Sequence, residues 1–398
     1  MNKKLPPLLL LGSACMAMFS FAVSFTILGP MLTGIMSSYS LDVSQGGSMT
    51  SFQSFGSIGA ILLLGLFGNR ISKPKVLSAA LLMLGIVMCI IGIAPPFLLL
   101  LLSFLVMGIS TGAIDTLSSA LVSSLPLENS SAAINILHAG YSLGAVAGPF
   151  ATLLFNGGAS HAWSSAYLVC GSIITAVALL LGLVSFWAVK RLPAFPRIQG
   201  AALKDARKAY FKDPNTWATI LVTFFLNASL FVLTIWTPAY QESLGAAPAM
   251  ASASVAVLWG GATVSRFVGA RLSIRFSHVK MILLGLCWAA ALFFIGLQTG
   301  DPLTVNLCIF IAGLGIGWVE PLLINLCCQN HHSVHEMAAS SIFLTMNLAS
   351  LIFPWLTGLV SAATSSLYWG MMLVPGFMLP SILFSIVLVR RKASPRTG

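Results

Sequence analysis

The sequence predicts an all-α membrane protein with twelve transmembrane helices in two parallel-repeat six-helix halves. Three observations carry this prediction: the composition, the placement of the basic residues and an internal repeat. Of the 398 residues, 58% are hydrophobic and only 7% are charged, and the mean hydropathy is +0.96. Soluble domains have about a quarter of their residues charged. Most of the surface of this protein is therefore expected to face lipid.

Apolar runs long enough to cross a bilayer fill most of the chain. A spanning helix needs about 20 consecutive apolar residues. The runs cover residues 7–37, 46–68, 76–94, 97–125, 131–155, 164–189, 216–240, 250–271, 279–298, 303–328, 337–361 and 367–389. The polar segment 190–215 separates six of them from the other six. We predict an N-terminal half over 1–189, a cytoplasmic linker over 190–215 and a C-terminal half over 216–398.

The basic residues indicate topology and not nucleic-acid binding, despite a net charge of +11. All the Lys and Arg lie near the N-terminus, in alternate loops with their adjoining helix ends, or after the last span. This positive-inside pattern predicts a multi-pass protein of the plasma (inner) membrane with both termini in the cytoplasm. Arg266 is the one basic residue expected within a span. A helix C-terminus and an acidic side chain remain open as its partner.

Several segments tempt other interpretations. The start MNKKLPPLLLLGSAC is similar to a signal peptide, but its apolar run continues to about Leu32, so we expect no cleavage. The cysteines lie mostly inside spans, which indicates buried free thiols. The segment CCQNHHSVHE, residues 327–336, matches no regular zinc spacing. We therefore predict no metal site. The chain has no G-x-x-x-x-G-K-[ST] signature, which makes an ATP-driven process unexpected.

The repeat has an offset of 205 residues and includes an acid in each copy. Adding 205 to Gly108, Gly112, Asp115 and Pro149 gives Gly313, Gly317, Glu320 and Pro354. Six spans per half keep the two copies parallel. An ionised carboxylate inside a span costs roughly 2.5–3.5 kcal/mol on insertion scales. We predict that Asp115 and Glu320 are functional. The alternatives are a structural helix–helix hydrogen bond and, since Pro321 follows Glu320, a local kink.

Short motifs give the chain a family resemblance. The segment GLFGNRISKPKVL, residues 65–77, resembles the loop signature G-x-x-x-D-R-x-G-R-[RK] of the major facilitator superfamily, with a weaker copy at 269–283. The resemblance implies the major facilitator fold and a transporter, not an enzyme. It also implies a helix-clamping role, with topology anchoring as the alternative, for Gly65, Asn69, Arg70, Lys75, Arg275 and Lys280.

Within that superfamily the chain is most similar to the fucose-permease-like sugar:proton symporters. The acid and threonine Asp115-Thr116 and the motif WTPAY, residues 236–240, carry this resemblance. It implies a central cavity lined by spans one, four, seven and ten. Two positions depart from the pattern, because the expected acids are replaced by Gly29, before Pro30, and by a residue around Leu230.

Further polar side chains inside spans are candidates for binding a solute or a proton. His138, on span five, approaches the predicted depth of Asp115, and an Asp–His pair is suited to a proton relay. Tyr141 lies one helical turn further on. Amides and an indole form a usual sugar-binding set. The candidates of that kind are Gln53, Asn227, Trp236 and Asn347. For all of them, a purely structural hydrogen bond or a place in an interfacial aromatic belt is the alternative.

The function expected from the sequence is secondary transport of a small polar solute, such as a monosaccharide, by alternating access. Coupling to a proton is expected, with Na⁺ open as the ion, and no cofactor is expected. Export of amphipathic or cationic compounds is the alternative, and a non-transporting sensor is a third possibility. The partners expected are the solute, the coupling ion and the lipid bilayer, for a monomeric protein.

Overall fold

A computed structural model describes residues 5–67, 71–125, 130–155, 162–189, 201–273, 275–330 and 335–393. The described chain is helical throughout. It forms two compact units, Met1–Arg197 and Ile198–Gly398. The assignment of domains and linker from the sequence stays a prediction, although the division between the units falls inside the predicted linker.

Eight helices belong to the first unit. They are α1 Leu5–Thr26, α2 Leu28–Tyr39, α3 Val43–Gly46, α4 Ser48–Phe67, α5 Lys73–Gly92, α6 Phe97–Ser124, α7 Ser130–Leu153 and α8 Ala162–Val189. Nine belong to the second. They are α9 Ala201–Lys212, α10 Pro214–Ser243, α11 Pro248–Leu272, α12 His278–Thr299, α13 Pro302–Ile316, α14 Val319–Asn330, α15 His335–Thr364, α16 Leu367–Met371 and α17 Leu373–Ala393.

The chain is a multi-pass membrane protein. Within the described residues, nine helical segments are long and apolar enough to cross a membrane. The remaining predicted spans correspond to α4, α7 and α11, which are helices of 20, 24 and 25 residues. The all-α membrane fold is thus confirmed, and the full count of twelve spans is consistent with the structure.

Three predicted spans are divided, and a proline explains each division. The predicted span 7–37 divides at Ile27, since Pro30 has no N–H to donate to the Thr26 carbonyl four residues earlier. The predicted span 303–328 divides after α13. There Pro321 cannot donate to the carbonyl of Gly317, which caps that helix. The predicted span 367–389 divides at Met372, since Pro375 has no N–H to donate to the Met371 carbonyl. Each of these predicted spans is thus formed by two consecutive helices.

The predicted linker contains a helix that the sequence did not reveal. Tyr210 on α9 is completely buried. Its hydroxyl hydrogen-bonds the Ser341 hydroxyl on α15 and lies 3.4 Å from the Cys327 sulfur on α14. Ala338 and Ile342 complete the apolar cluster around the ring. Residues 201–212 are thus packed on the second unit.

The glycines of the repeat lie at equivalent close contacts in the two units. A Cβ on Gly108 would meet the carbonyl of Gln53 on α4, and one on Gly313 would meet that of Leu258 on α11. Two further pairs of contacts repeat the pattern. In the first unit they are Gly56–Leu105 and Gly112–Ser57, and in the second unit they are Gly261–Phe310 and Gly317–Ala262. Each partner obeys the offset of 205 residues. Small residues at such a seam let two spanning helices approach closely, and the two units repeat the same seam.

These contacts predict that alanine is tolerated at one glycine of a neighbouring pair and rejected at the other. Gly56→Ala and Gly261→Ala place a Cβ against a carbonyl oxygen of the facing helix, so we expect a lower melting temperature and less folded protein. Gly59→Ala and Gly260→Ala are the matched controls, because nothing lies within 4 Å of their added Cβ. Thermal unfolding in detergent measures the four variants. Equal losses in all four would contradict this packing.

A carboxylate cap at the start of α13 predicts a pH-dependent contribution to stability. The Thr304 hydroxyl and backbone N–H hydrogen-bond the Asp301 carboxylate at 2.6 and 2.8 Å and hold its pKa below the ordinary value. The cap therefore stabilises the folded state above the unfolded pKa of about 3.9 and loses this effect as pH falls through the lowered folded pKa. We expect Asp301→Ala to lower the melting temperature at neutral pH, with a gap that closes in acid. If the difference in melting temperature between the wild type and Asp301→Ala instead widened in acid, the prediction would be contradicted. Asp205→Ala, which changes an acid on α9, is the control.

Candidate functional site

The C-terminal acid of the repeat forms an ion pair with the basic residue inside the spans. An Nη of Arg266, on α11, lies 3.6 Å from a carboxylate oxygen of Glu320, on α14. The two side chains are only 20% and 15% exposed. The cation compensates the carboxylate, which reduces the cost of burying either charge. Glu320 therefore has an ionic partner within its own unit.

The proline after Glu320 explains how the arginine is held. Because Pro321 has no N–H, the carbonyl of Gly317 lacks its usual helical donor. The Nε of Arg266 donates to that carbonyl at 3.4 Å. Both partners that the sequence left open for this arginine, a helix C-terminus and an acid, are present. One guanidinium thus serves the free carbonyl and the carboxylate.

The ion pair lies at the wall of a narrow cleft whose apolar lining side chains are buried. Its other lining residues are Leu230, Leu258, Trp259, Ala262, Ile316 and Gly317. The Arg266 guanidinium lies 5.9 Å from the centre of the Trp259 ring, within the range of a cation–π interaction. Leu230 stands near the position where the sugar symporter pattern has an acid. The cleft is apolar apart from the ion pair and the indole.

The N-terminal unit repeats the helix seam but has an apolar residue at the position equivalent to the arginine. Asp115 is buried on α6, a helix that continues without a break because Thr116 follows it where Pro321 follows Glu320. Subtracting 205 from Arg266 gives Ile61, which is 5% exposed. The cation that compensates Glu320 is therefore replaced by an apolar side chain at the equivalent N-terminal position.

The candidates His138 and Tyr141 lie on α7, which packs against α6 and α1. His138 is half-buried, and the Tyr141 ring packs edge-on against Phe21 with 5.1 Å between ring centres. The pairing of Asp115 with His138, as a proton relay, stays a prediction.

The predicted amides and indole mostly use their donors within the protein. The amide of Asn227, 2% exposed, donates to the Thr223 carbonyl at 3.0 Å, and that of Asn347 donates to Phe343 at 2.9 Å. Trp236 is fully buried, and its Nε1 donates to the Pro354 carbonyl at 2.9 Å, joining α10 to α15.

Gln53 differs from the other amides. It is 3% exposed, and within the described chain its carbonyl oxygen Oε1 has no hydrogen-bond partner. A buried polar atom without a partner is costly. Gln53 is thus the candidate amide with spare hydrogen-bonding capacity. Solute binding by all four side chains stays a prediction.

The described loop-signature residues lie at or next to helix ends. Lys75, Arg275 and Lys280 are exposed. Gly65 lies on α4, and Asn69 and Arg70 fall outside the described residues. The lysine with a clamping contact is Lys73, which the sequence analysis did not single out. Its ammonium donates to the carbonyl of Ala120, in the last turns of α6, at 3.2 Å.

Comparisons with known proteins agree with this architecture. A family model described as Major Facilitator Superfamily matches residues 14–354. The inner membrane transport protein YdhP of Escherichia coli (strain K12) is 25% identical over 269 residues. That match covers 65% of this chain and 65% of YdhP, just under two thirds of either.

Solved structures share the fold at low sequence identity. A bacterial homolog of the human lysosomal transporter Spinster, inward-facing and unoccupied, has a TM-score of 0.80 at 16% identity over 98% of this chain and 99% of that one. The transporter FucP, in the outward conformation, has a TM-score of 0.69 at 15% sequence identity, and the match covers 97% of this chain and 99% of that one. A D-xylose-proton symporter has a TM-score of 0.72 at 14% sequence identity, and the match covers 96% of each chain.

Proposed function

Because the chain belongs to the Major Facilitator Superfamily, we propose that it is a secondary transporter that moves a small polar solute across the inner membrane by alternating access. The observation that carries the proposal is the pair of buried acids at equivalent positions of a duplicated fold. Glu320 has Arg266 beside it, and Asp115 has Ile61 at the matching place. Acids inside spans are rare and are typical of proton relays and ion pathways.

We assign proton coupling chiefly to Asp115. An ionised Asp115 is more costly in a spanning segment than a protonated one. Binding and release of a proton therefore shift the balance between conformations by the difference in that cost. His138 and Tyr141 are the proposed neighbours in proton transfer, and Gln53 is a proposed contact for the solute.

A monosaccharide is the solute class that the family resemblance supports. A fucose:proton symporter and a D-xylose-proton symporter are among the proteins that share the fold. Exporters of cationic compounds are the alternative. The ion pair weakens that alternative at Glu320, because a cationic solute would have to displace the guanidinium of Arg266. We further propose that both termini are cytoplasmic and that the protein works as a monomer.

Uptake by purified protein in liposomes tests the proposal. We expect labelled sugars to accumulate when the pH gradient is imposed and not when it is collapsed by a proton ionophore. Liposomes without protein are the control. If no sugar accumulates while lipophilic cations are moved against their gradient, the export alternative is correct. If no solute of either class moves, the transport function is refuted.

A further inference from the structure

We propose that the cleft around Arg266 and Glu320 binds the carboxylate of a small organic anion, together with one proton on Glu320. The carboxylate of the solute replaces that of Glu320 as the partner of the arginine. This inference rests on the proposed transport function and names the chemical class of its solute.

The internal repeat shows that the fold does not require this ion pair. The seam between α4 and α6 makes the same glycine contacts as the seam between α11 and α13, yet it has Ile61 where the other has Arg266. Guanidinium stays charged at all relevant pH values and is expensive inside a span. Apolar residues often replace a buried ion pair at no cost in stability. The seam itself therefore does not require the ion pair, and the structural task of Arg266 in this unit is its hydrogen bond to the Gly317 carbonyl.

The geometry makes the partner of the arginine exchangeable. The separation of 3.6 Å between Arg266 and Glu320 exceeds the 2.7–2.9 Å that is usual for a charge-assisted hydrogen bond, and one nitrogen makes the contact. The Nε bond to the Gly317 carbonyl is independent of the carboxylate. The arginine thus keeps an anchor on the protein when its carboxylate partner changes, and its fork is suited to a bidentate carboxylate.

Charge balance sets the class of ligand and its coupling to a proton. With Glu320 ionised, the pair is neutral, and an added anion would leave one uncompensated negative charge in the cleft. With Glu320 protonated, the guanidinium and the anion of the solute balance each other. One anion therefore enters with one proton, which resides on a carboxylate oxygen of Glu320. The body of the solute contacts the apolar side of the cleft, which is formed by Leu230, Leu258, Ile316 and the ring of Trp259.

Other titratable groups lie away from this pair along the helices. In the described contacts, Arg266 is the charged side chain within 4 Å of Glu320. Two thiols, Cys327 and Cys328, lie on α14 itself. The helices packed around it carry further titratable residues, which are Tyr240 and Glu242 on α10, Arg271 on α11, His278, Lys280 and Cys287 on α12, Cys308 on α13, and His335 and Glu336 on α15. Apart from the thiols, these lie at or near helix ends. Glu320 is thus the acid whose protonation frees the arginine.

Binding to the full-length protein in detergent tests the inference with matched probes. The pairs are D-glucose with D-glucuronate and benzyl alcohol with benzoate, which differ in the carboxylate. We expect the acids to bind more tightly at about pH 5.5 than at about pH 8, and the neutral partners to bind weakly at both. Glu320→Gln imitates the protonated acid, so it should bind the acids equally at both pH values.

Loss of the guanidinium should weaken binding of the acids about ten- to hundredfold. Since Arg266→Gln alone leaves a buried acid uncompensated, the neutral double variant Arg266→Gln/Glu320→Gln ensures a folded protein. The inference is overturned if neither acid binds, if the neutral probes bind as well, or if the double variant keeps its affinity for the acids. It is also overturned if Glu320→Gln keeps the pH dependence of the wild type.

Transport assays separate this inference from the proposed function. If a neutral sugar accumulates with the pH gradient and the double variant transports it normally, the inference fails and the proposed function stands. If the acids bind as expected and no solute crosses the liposome membrane, the proposed function fails and the binding site stands.

Discussion

Asp115→Asn eliminates pH-gradient-driven uptake and leaves exchange of solute across the membrane intact. Asparagine has nearly the shape of a protonated aspartate and cannot release a proton. The variant should therefore resemble a carrier whose coupling site is permanently neutral. It can change conformation with a neutral sugar bound, but the gradient no longer drives net movement of that sugar, since the sugar then crosses without a proton on residue 115.

Two assays on one liposome preparation measure this difference. Net uptake under an imposed pH gradient should fall to the level of protein-free liposomes. Exchange of internal unlabelled solute for external labelled solute should match the wild type. Asp205→Asn, which changes an exposed acid on α9, is the control and should leave both assays unchanged. Gradient-driven uptake that survives in Asp115→Asn would remove this acid from the coupling step.

The sequence predicted the repeat well because close helix contacts depend on small residues at fixed spacing. Gly56, Gly108 and Gly112 meet backbone on the facing helix, and their counterparts 205 residues later do the same. A side chain at any of these positions would push the helices apart. The spacing of the glycines therefore indicates where the two helices are in contact. The superfamily prediction is confirmed for the same reason, as its signature and repeat survive in short motifs.

The ion pair was only half visible in the sequence. Arg266 was marked as a charge inside a span, but its partner depends on the rotation of α11 about its axis. The contacts of the seam fix that rotation. Ala262 of α11 faces Gly317, so Arg266, one turn further along α11, lies on the same face. Glu320 comes three residues after Gly317 and therefore meets the arginine. The offset alone identified the glycines, and the pairing along the seam needed the structure.

The features missed by the sequence analysis are single contacts that leave no pattern. Tyr210 is one of three aromatic residues in a polar linker, and its burial depends on its contacts with α14 and α15. The position of Lys73 against the end of α6 likewise depends on how two helices meet. The predicted roles of Asn227 and Trp236 rested on residue type. The structure shows that their donors are already used by the Thr223 and Pro354 carbonyls.

The ion pair should be the most sensitive charged site in the second unit. Arg266→Ile leaves the Glu320 carboxylate without its cation and the Gly317 carbonyl without its donor. Breaking one partner of a buried ion pair costs about 3–5 kcal/mol. Because the side chains are 20% and 15% exposed, we expect about 3 kcal/mol of lost unfolding free energy. The measurement is thermal unfolding of the purified protein in detergent.

The N-terminal unit supplies the matched rescue, since it has Ile61 and Thr116 where the second unit has Arg266 and Pro321. Adding Glu320→Gln to Arg266→Ile removes the uncompensated charge and should recover most of the loss. Adding Pro321→Thr then restores a backbone donor for the Gly317 carbonyl, an unpaired group that costs about 1–3 kcal/mol. The three variants should therefore rise in stability in that order. If the double variant is no more stable than the single one, the two charges do not compensate each other. If the triple variant gains nothing further, the Gly317 carbonyl does not depend on the arginine.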